Sequence, residues 1–184
     1  MKYTGSVAAL GLTKPTFAET QAKAIKITNV DANFEREPLN AYRFKGGAIT
    51  DSWQAVAMME SESGVRKIGL GTQGVLWSDA RVAAGHSESA GNALMYAMSE
   101  RALQIIKGTS FTNPVDLMEQ VLPEVLDYGK KITGVADLRK TFALNALVCV
   151  DNAAWLLYAH ENNLKTFDEM IPAAYRPGLS YRHD

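Results

Sequence analysis

The residues that invite a chemical reading lie close together. Gly69-Leu70-Gly71-Thr72-Gln73-Gly74 has the glycine spacing of a dinucleotide-binding turn, in which backbone N–H groups and a helix N-terminus hold a pyrophosphate. Ser78, Asp79 and His86 follow and supply the side-chain types of a hydrolase nucleophile set. Neither pattern has the context its chemistry needs. The glycine turn requires a parallel βαβ unit and a helix opening at the third glycine. Here the preceding strand belongs to a hairpin, and no helical periodicity begins until about Ser89. No nucleophile elbow surrounds Ser78. His86, His160 and His183 stand far apart without a ligand-type residue four positions away, so no metal site is indicated. No catalytic residue is assigned.

The elements that position this stretch are strands. Trp53 to Glu60 and Val65 to Gly71 have strand character, and Ser61-Glu62-Ser63-Gly64 supplies the turn of a β-hairpin. Ala24 to Phe34 is a third candidate strand, with Ile25, Ile27, Val30 and Phe34 packed partly on a core. Everything after Gly85 reads as helix. Strands followed by helices predict an α+β domain, a three-stranded antiparallel meander followed by a bundle of three to four helices.

Two segments leave the ends of this sheet. The polar connection Glu35 to Asp51 carries Tyr42, Phe44 and Ile49, which are costly to leave in water. It is either a mobile loop or one that closes over something. The second segment, Thr72 to Ser89, carries Trp77. The two could form one wall.

The first helix starts near Ser87 or Ser89 and ends at Gly108. Asn113-Pro114 opens a second, in which Pro123 predicts a kink or a division into two. The longest helix runs from about Asp137 to Asn162, with Leu138, Phe142, Ala146, Cys149, Ala153, Leu156 and Leu157 on one face. Leu144, Leu147, Val148, Trp155 and Tyr158 surround Asp151 on the other. A helix apolar on both sides is buried on both. Either another body packs on the second face, or the domain's own helices cover it and Asp151 bonds to a nearby side chain. Thr166 opens a last short helix that Pro172 closes.

A chain of 184 residues with net charge -1 and one cysteine suits a single domain without disulfide staples. The charge balance gives no electrostatic reason to expect nucleic acid or an anionic membrane. No apolar run approaches the ~20 residues of a span, and the segment Val7 to Leu12 is too short for an export signal. A cytoplasmic protein is the expectation. Residues 1–23 read as an N-terminal arm, 24–175 as the domain and 176–184 as a linker.

Ile25-Lys-Ile-Thr-Asn-Val30, the Trp53 to Gly71 hairpin with Glu62-Ser-Gly-Val65 and Gly69-Leu-Gly71, and Val150-Asp-Asn-Ala-Ala-Trp-Leu156 together resemble the N-terminal capping domain of the enolase superfamily. The mandelate racemase and muconate-lactonising branch is the nearest likeness. The resemblance implies that a (β/α)₈ barrel, absent from these residues, would supply Mg²⁺ ligands and a base that takes a proton α to a carboxylate. No cofactor is then held by this chain. The capping domain would close the site with two loops, here Arg43, Phe44, Lys45, Ile49 and Thr50, and Trp77 and Ser78. Leu144, Leu147, Asp151, Trp155 and Tyr158 would meet the barrel or a second copy. Thr72 departs from the acidic residue common after Gly-x-Gly in relatives. The implied function is a substrate-specificity lid of a Mg²⁺-dependent racemase, dehydratase or cycloisomerase acting on a carboxylate-bearing small molecule, not catalytic by itself. The alternative is a free-standing interaction or oligomerisation module.

Overall fold

The computed structural model describes residues 22–44, 47–172 and 175. Four strands, β1 Ile25–Phe44, β2 Gly47–Ser61, β3 Arg66–Gln73 and β4 Ser110–Phe111, form an antiparallel sheet in the order β3-β2-β1-β4. Helices α1 Val75–Ser78, α2 Ala80–His86, α3 Glu88–Ile106, α4 Pro114–Thr133, α5 Lys140–Glu161 and α6 Phe167–Met170 complete it. The α+β class is as expected. The fourth strand is an addition to the meander, two residues pairing with Ile25 and Lys26, too short to leave a periodicity. Residues 1–21 of the expected arm 1–23 and the expected linker 176–184 lie outside the described residues.

Residues 35–44 and 47–51, expected to be a polar connection, are the far halves of β1 and β2, which stay paired out to Phe44 and Gly47. Pairing satisfies the backbone there, while Glu35, Arg36 and Glu37 are exposed. Side-chain polarity therefore reports exposure and not irregular backbone. Nearer the hairpin turn at Glu62, β2 alternates as a half-buried strand should, with Trp53, Ala55, Ala57 and Met59 inward.

The two glycines of the hairpin's second strand have a structural purpose. Helix α5 lies directly on β3, and a Cβ at Gly69 would overlap the Cys149 carbonyl oxygen and the Ala153 nitrogen; at Gly71 it would come 2.7 Å from the Cys149 nitrogen. Their cross-strand partners are Ala57 and Ala55, and α5 presents Ala146, Cys149 and Ala153. Small residues on both bodies permit the approach. Two asparagines of α5 then serve the free edge of β3. Asn152 Nδ2 donates to the Leu70 carbonyl at 2.7 Å. Asn145 Nδ2 donates to the Thr72 carbonyl at 2.9 Å while its Oδ1 accepts from Gly74 N, also at 2.9 Å. The Asn145 amide thus pairs with the edge as a neighbouring strand would.

A helix does open directly after Gly74, contrary to expectation, because the segment to Ser89 folds as α1 and α2 instead of a loop. The dinucleotide reading still fails, since β3 runs antiparallel to β2 and α1 is a single turn. Ser87 caps α3, as one of the two expected serines. Pro123 leaves α4 one continuous helix, so the division into two does not occur. The carbonyl it deprives of a bond belongs to Glu119, an exposed residue that water can serve.

Helix α5 begins at Lys140, three residues later than expected, since Asp137 instead accepts a bond from Arg81 Nη1 at 2.6 Å. Phe142, Ala146, Cys149, Ala153 and Leu157 are buried, but Leu156, assigned to the same face, is 46% exposed. Leu147 and Tyr158, expected on an uncovered face, are buried in the core formed with α3 and α4. The domain covers that part of the face with its own helices. By length and apolar composition alone α5 could cross a membrane, although Asn145, Asp151 and Asn152 interrupt any apolar run within it. It is a core helix, packed on β3, α3 and α4.

Candidate functional site

The far end of the β1–β2 ribbon and the segment after β3 meet around one open cavity of about 570 Å³. Its walls are apolar, made by Leu39, Ile49, Leu76, Leu144 and Val148 with Trp77. The two sequence segments thus share one wall.

A β-bulge sets the ribbon's end. Pro38 pairs with Asp51 and Tyr42 with Ile49, so three residues of β1 oppose Thr50 alone. The backbone N–H of Thr50 turns instead to Glu88, reaching its two carboxylate oxygens at 2.9 and 3.1 Å, and Thr50 Oγ1 donates to Oε2 at 2.7 Å. Glu88 occupies the first turn of α3, where the helix dipole favours a carboxylate. Beside this latch Asp51 is buried, and Arg36 Nη2 donates to it at 3.1 Å. The same guanidinium lies 5.7 Å from the Trp53 ring centre. Gly47 rests on α1, where a Cβ would stand 3.1 Å from Leu76 Cδ2.

The facing wall is anchored by asparagines. Val75 N donates to Asn92 Oδ1 at 2.8 Å, and Ser78 Oγ lies 2.9 Å from the Gly74 carbonyl and 3.0 Å from Asn145 Oδ1. Ser78 lines the cavity with its hydroxyl already engaged. Asp79 is fully buried. It caps α2, receives both Arg81 Nε and Nη2, and accepts from Arg139 N at 3.2 Å. The Arg81 guanidinium holds its carboxyl below the ordinary 3.8. His86 Nε2 pairs with the Thr133 carbonyl at 2.8 Å. The three residues that resemble a nucleophile set are committed to three different partners.

Of the expected loop residues, Ile49, Trp77 and Ser78 line the cavity, and Thr50 forms the latch beside it. All belong to strand or short helix, not to loops. Arg43 is exposed on β1 and is not among the described lining residues. The Phe44 side chain and Lys45 lie outside the described residues. Leu144, assigned to an interface, lines the cavity as well. Gln73 and Leu76 belong to the expected segment without having been singled out, whereas Leu39, Asp51 and Glu88 were not assigned to the site. The alternation running back from Trp53 gives Asp51 away as an inward position, but nothing local announces Glu88.

Of the remaining expected interface residues, Leu147 and Tyr158 are buried, and Trp155 is half-buried with its ring edge-on to Tyr158 at 6.0 Å. Burial pushes the Asp151 carboxyl above its ordinary 3.8, opposed by a hydrogen bond from the Trp155 side chain. A second apolar groove lies past it, between Ile68 and Leu70 of β3, Leu156 of α5 and Phe167 of α6. Among the described residues no group of three or more His, Cys, Asp or Glu could hold a metal ion. The Mg²⁺ that the resemblance implies would be held by the barrel and not by these residues.

No family model matches this chain, and no curated protein matches it. Solved structures that match include a dipeptide epimerase from Enterococcus faecalis V583, complexed with Mg and the dipeptide L-Leu-L-Tyr. It is 20% identical with TM-score 0.44, over 74% of this chain and 32% of that one. An L-talarate/galactarate dehydratase from Salmonella typhimurium LT2 is 19% identical with TM-score 0.47, over 85% and 34%. An enolase from Bradyrhizobium, complexed with magnesium and mandelic acid, is 17% identical with TM-score 0.42, over 72% and 31%. The matches are enolase-superfamily proteins, and this chain spans about one third of their length.

Proposed function

We propose that this chain is the substrate-specificity lid of a cytoplasmic Mg²⁺-dependent enzyme of the enolase superfamily. Its partner is a barrel domain that carries the metal and the base for proton abstraction α to a carboxylate. The observation that supports this reading is the meeting of the β1–β2 ribbon end and the Gln73 to Ser78 segment around one apolar cavity. In this reading the lid excludes water from the reacting centre and shapes the remote end of the substrate pocket, while chemistry resides elsewhere.

The test is solvent exchange. The natural gene product, incubated in D₂O with Mg²⁺ and a panel of carboxylates, exchanges an α-proton of at least one. Ile49→Ala and Leu76→Ala change which carboxylate is preferred, through KM more than kcat. No Mg²⁺-dependent exchange with any of the panel counts against the reading. A second reading, an interaction module that assembles copies of itself, is favoured by one observation. Ile68, Leu70, Leu156 and Phe167 are 57%, 52%, 46% and 85% exposed around a single groove. A monomer at micromolar concentration counts against it.

A further inference from the structure

The polar lining of the first cavity is unbalanced. Its described lining residues include no Lys, Arg or His. Two carboxylates line it, and they differ. Asp51 is neutralised by Arg36 at 3.1 Å. Glu88 is held by the N–H and hydroxyl of Thr50 alone, with no cation in ion-pair range among the described residues. One carboxylate thus stands without an ion-pair partner among the described residues, held by Thr50 and the first turn of α3, at the rim of an apolar cavity.

Gln73 lines the cavity but adds no acceptor to it. It is 3% exposed, and its amide orientation is fixed by its neighbours. Ser99 Oγ donates its own hydrogen to the Ala146 carbonyl at 2.6 Å, so only Gln73 Nε2 can meet that oxygen, at 2.9 Å. Gln73 Oε1 then meets no donor among the described residues, but as a buried atom it is shut off from the cavity and offers a ligand nothing. Several donors nearby are engaged, while the Ser52 and Thr141 hydroxyls also line the cavity. Ser78 and Asn145 serve Gly74, Thr72 and each other, and Thr72 Oγ1 donates to Gln54 at 3.0 Å.

We infer that this cavity takes the ammonium-bearing end of an apolar ligand, with Glu88 as its counter-charge. The inference rests on the proposed reading only in taking this cavity as the substrate-facing one. It narrows the substrate class to a carboxylate whose remote end is apolar and carries a primary or secondary amine. A hydroxylated diacid would bring a second anion to Glu88 and find no cation among the described lining residues to receive it.

The experiment compares two probes of one shape and opposite charge, 4-phenylbutylammonium and 4-phenylbutyrate, titrated into the full chain. Calorimetry reports affinity, and the NMR resonance of the Trp77 indole reports location. The ammonium binds at least tenfold tighter than the carboxylate and moves the Trp77 resonance. Glu88→Gln, which keeps an acceptor for Thr50, weakens the ammonium about tenfold, the usual worth of a charge-assisted bond. Should that variant loosen the ribbon end, seen as faster exchange of the Thr50 amide, the salt dependence of ammonium affinity in the unaltered chain replaces it, with weakening expected as salt rises.

Equal or tighter binding of the carboxylate overturns the inference. So does an unchanged affinity in Glu88→Gln, or no binding by either probe. Failure here with Mg²⁺-dependent exchange intact removes only the amine assignment. Ammonium binding in a gene product that exchanges nothing removes only the lid.

Discussion

Gly69→Ala puts the close packing of α5 on β3 to the test. The added Cβ overlaps main-chain atoms of Cys149 and Ala153, which no rotamer change relieves, so the helix must lift from the strand. Overpacking of this kind costs about 1–3 kcal/mol. Lifting also stretches the bonds from Asn145 and Asn152 to the edge of β3, each worth about 1 kcal/mol. The sum is about 3–5 kcal/mol against a net stability of about 5–15 kcal/mol. In urea unfolding, Gly69→Ala should lower the midpoint by more than about 1 M. Gly85→Ala is the control, because a Cβ there meets nothing within 4 Å and the residue lies in α2. It should leave stability unchanged or raise it by up to about 1 kcal/mol. A Gly69→Ala variant within about 1 kcal/mol of the parent refutes the close-approach argument. If NAD also bound the parent and not the variant, the glycines would belong to a nucleotide after all.

Four further outcomes follow from the geometry. Asn145→Ala removes the partner of Thr72, Gly74 and Ser78 at once; it should cost about 2–3 kcal/mol, and hydrogen exchange should quicken at Gly74 before the core strands. Leu156→Asp should be tolerated and Leu157→Asp should unfold the chain, since Leu156 is 46% exposed and Leu157 is fully buried; circular dichroism separates them, and the reverse result would put the α5 face out of register. Arg81 holds the folded carboxyl of Asp79 below its ordinary 3.8, so the stability it contributes is complete above that value and is lost as pH falls through the lowered one. Asp79→Asn should therefore lower the melting temperature at pH 7 and lose its effect towards pH 2. Asp151 has the opposite sign, its carboxyl raised above 3.8 by burial, so ionisation weakens the fold as pH rises through that range. Asp151→Asn should raise the melting temperature at pH 7 and leave it unchanged at pH 3.

Much of the scaffold is legible in the sequence where a local rule coincides with the tertiary need. Trp53, Ala55, Ala57 and Met59 alternate because one face of β2 is buried. Asn113-Pro114 starts α4 as such a pair should, and Thr166 with Glu169 forms a capping box at α6. The reading fails where the deciding partner is remote. Gly69 and Gly71 look like a phosphate turn until a helix some eighty residues later is laid over them. The ribbon beyond Phe34 looks like a loop because its side chains meet water while its backbone meets β2. Of the site, Ile49, Trp77 and Ser78 could be found from their place at the sheet's ends. Glu88 could not, because it reads as an ordinary first-turn carboxylate, and only the bulge opposite Thr50 frees the N–H that it receives.

The central claim, that this domain is a lid for chemistry carried elsewhere, is tested most directly by the mass of the natural gene product, captured from its own cells with an antibody to residues 47–172. A lid joined to a barrel of about 250 residues predicts a single polypeptide of about 40–50 kDa that contains this sequence. A polypeptide no larger than these 184 residues, bound to no barrel-sized chain, contradicts it.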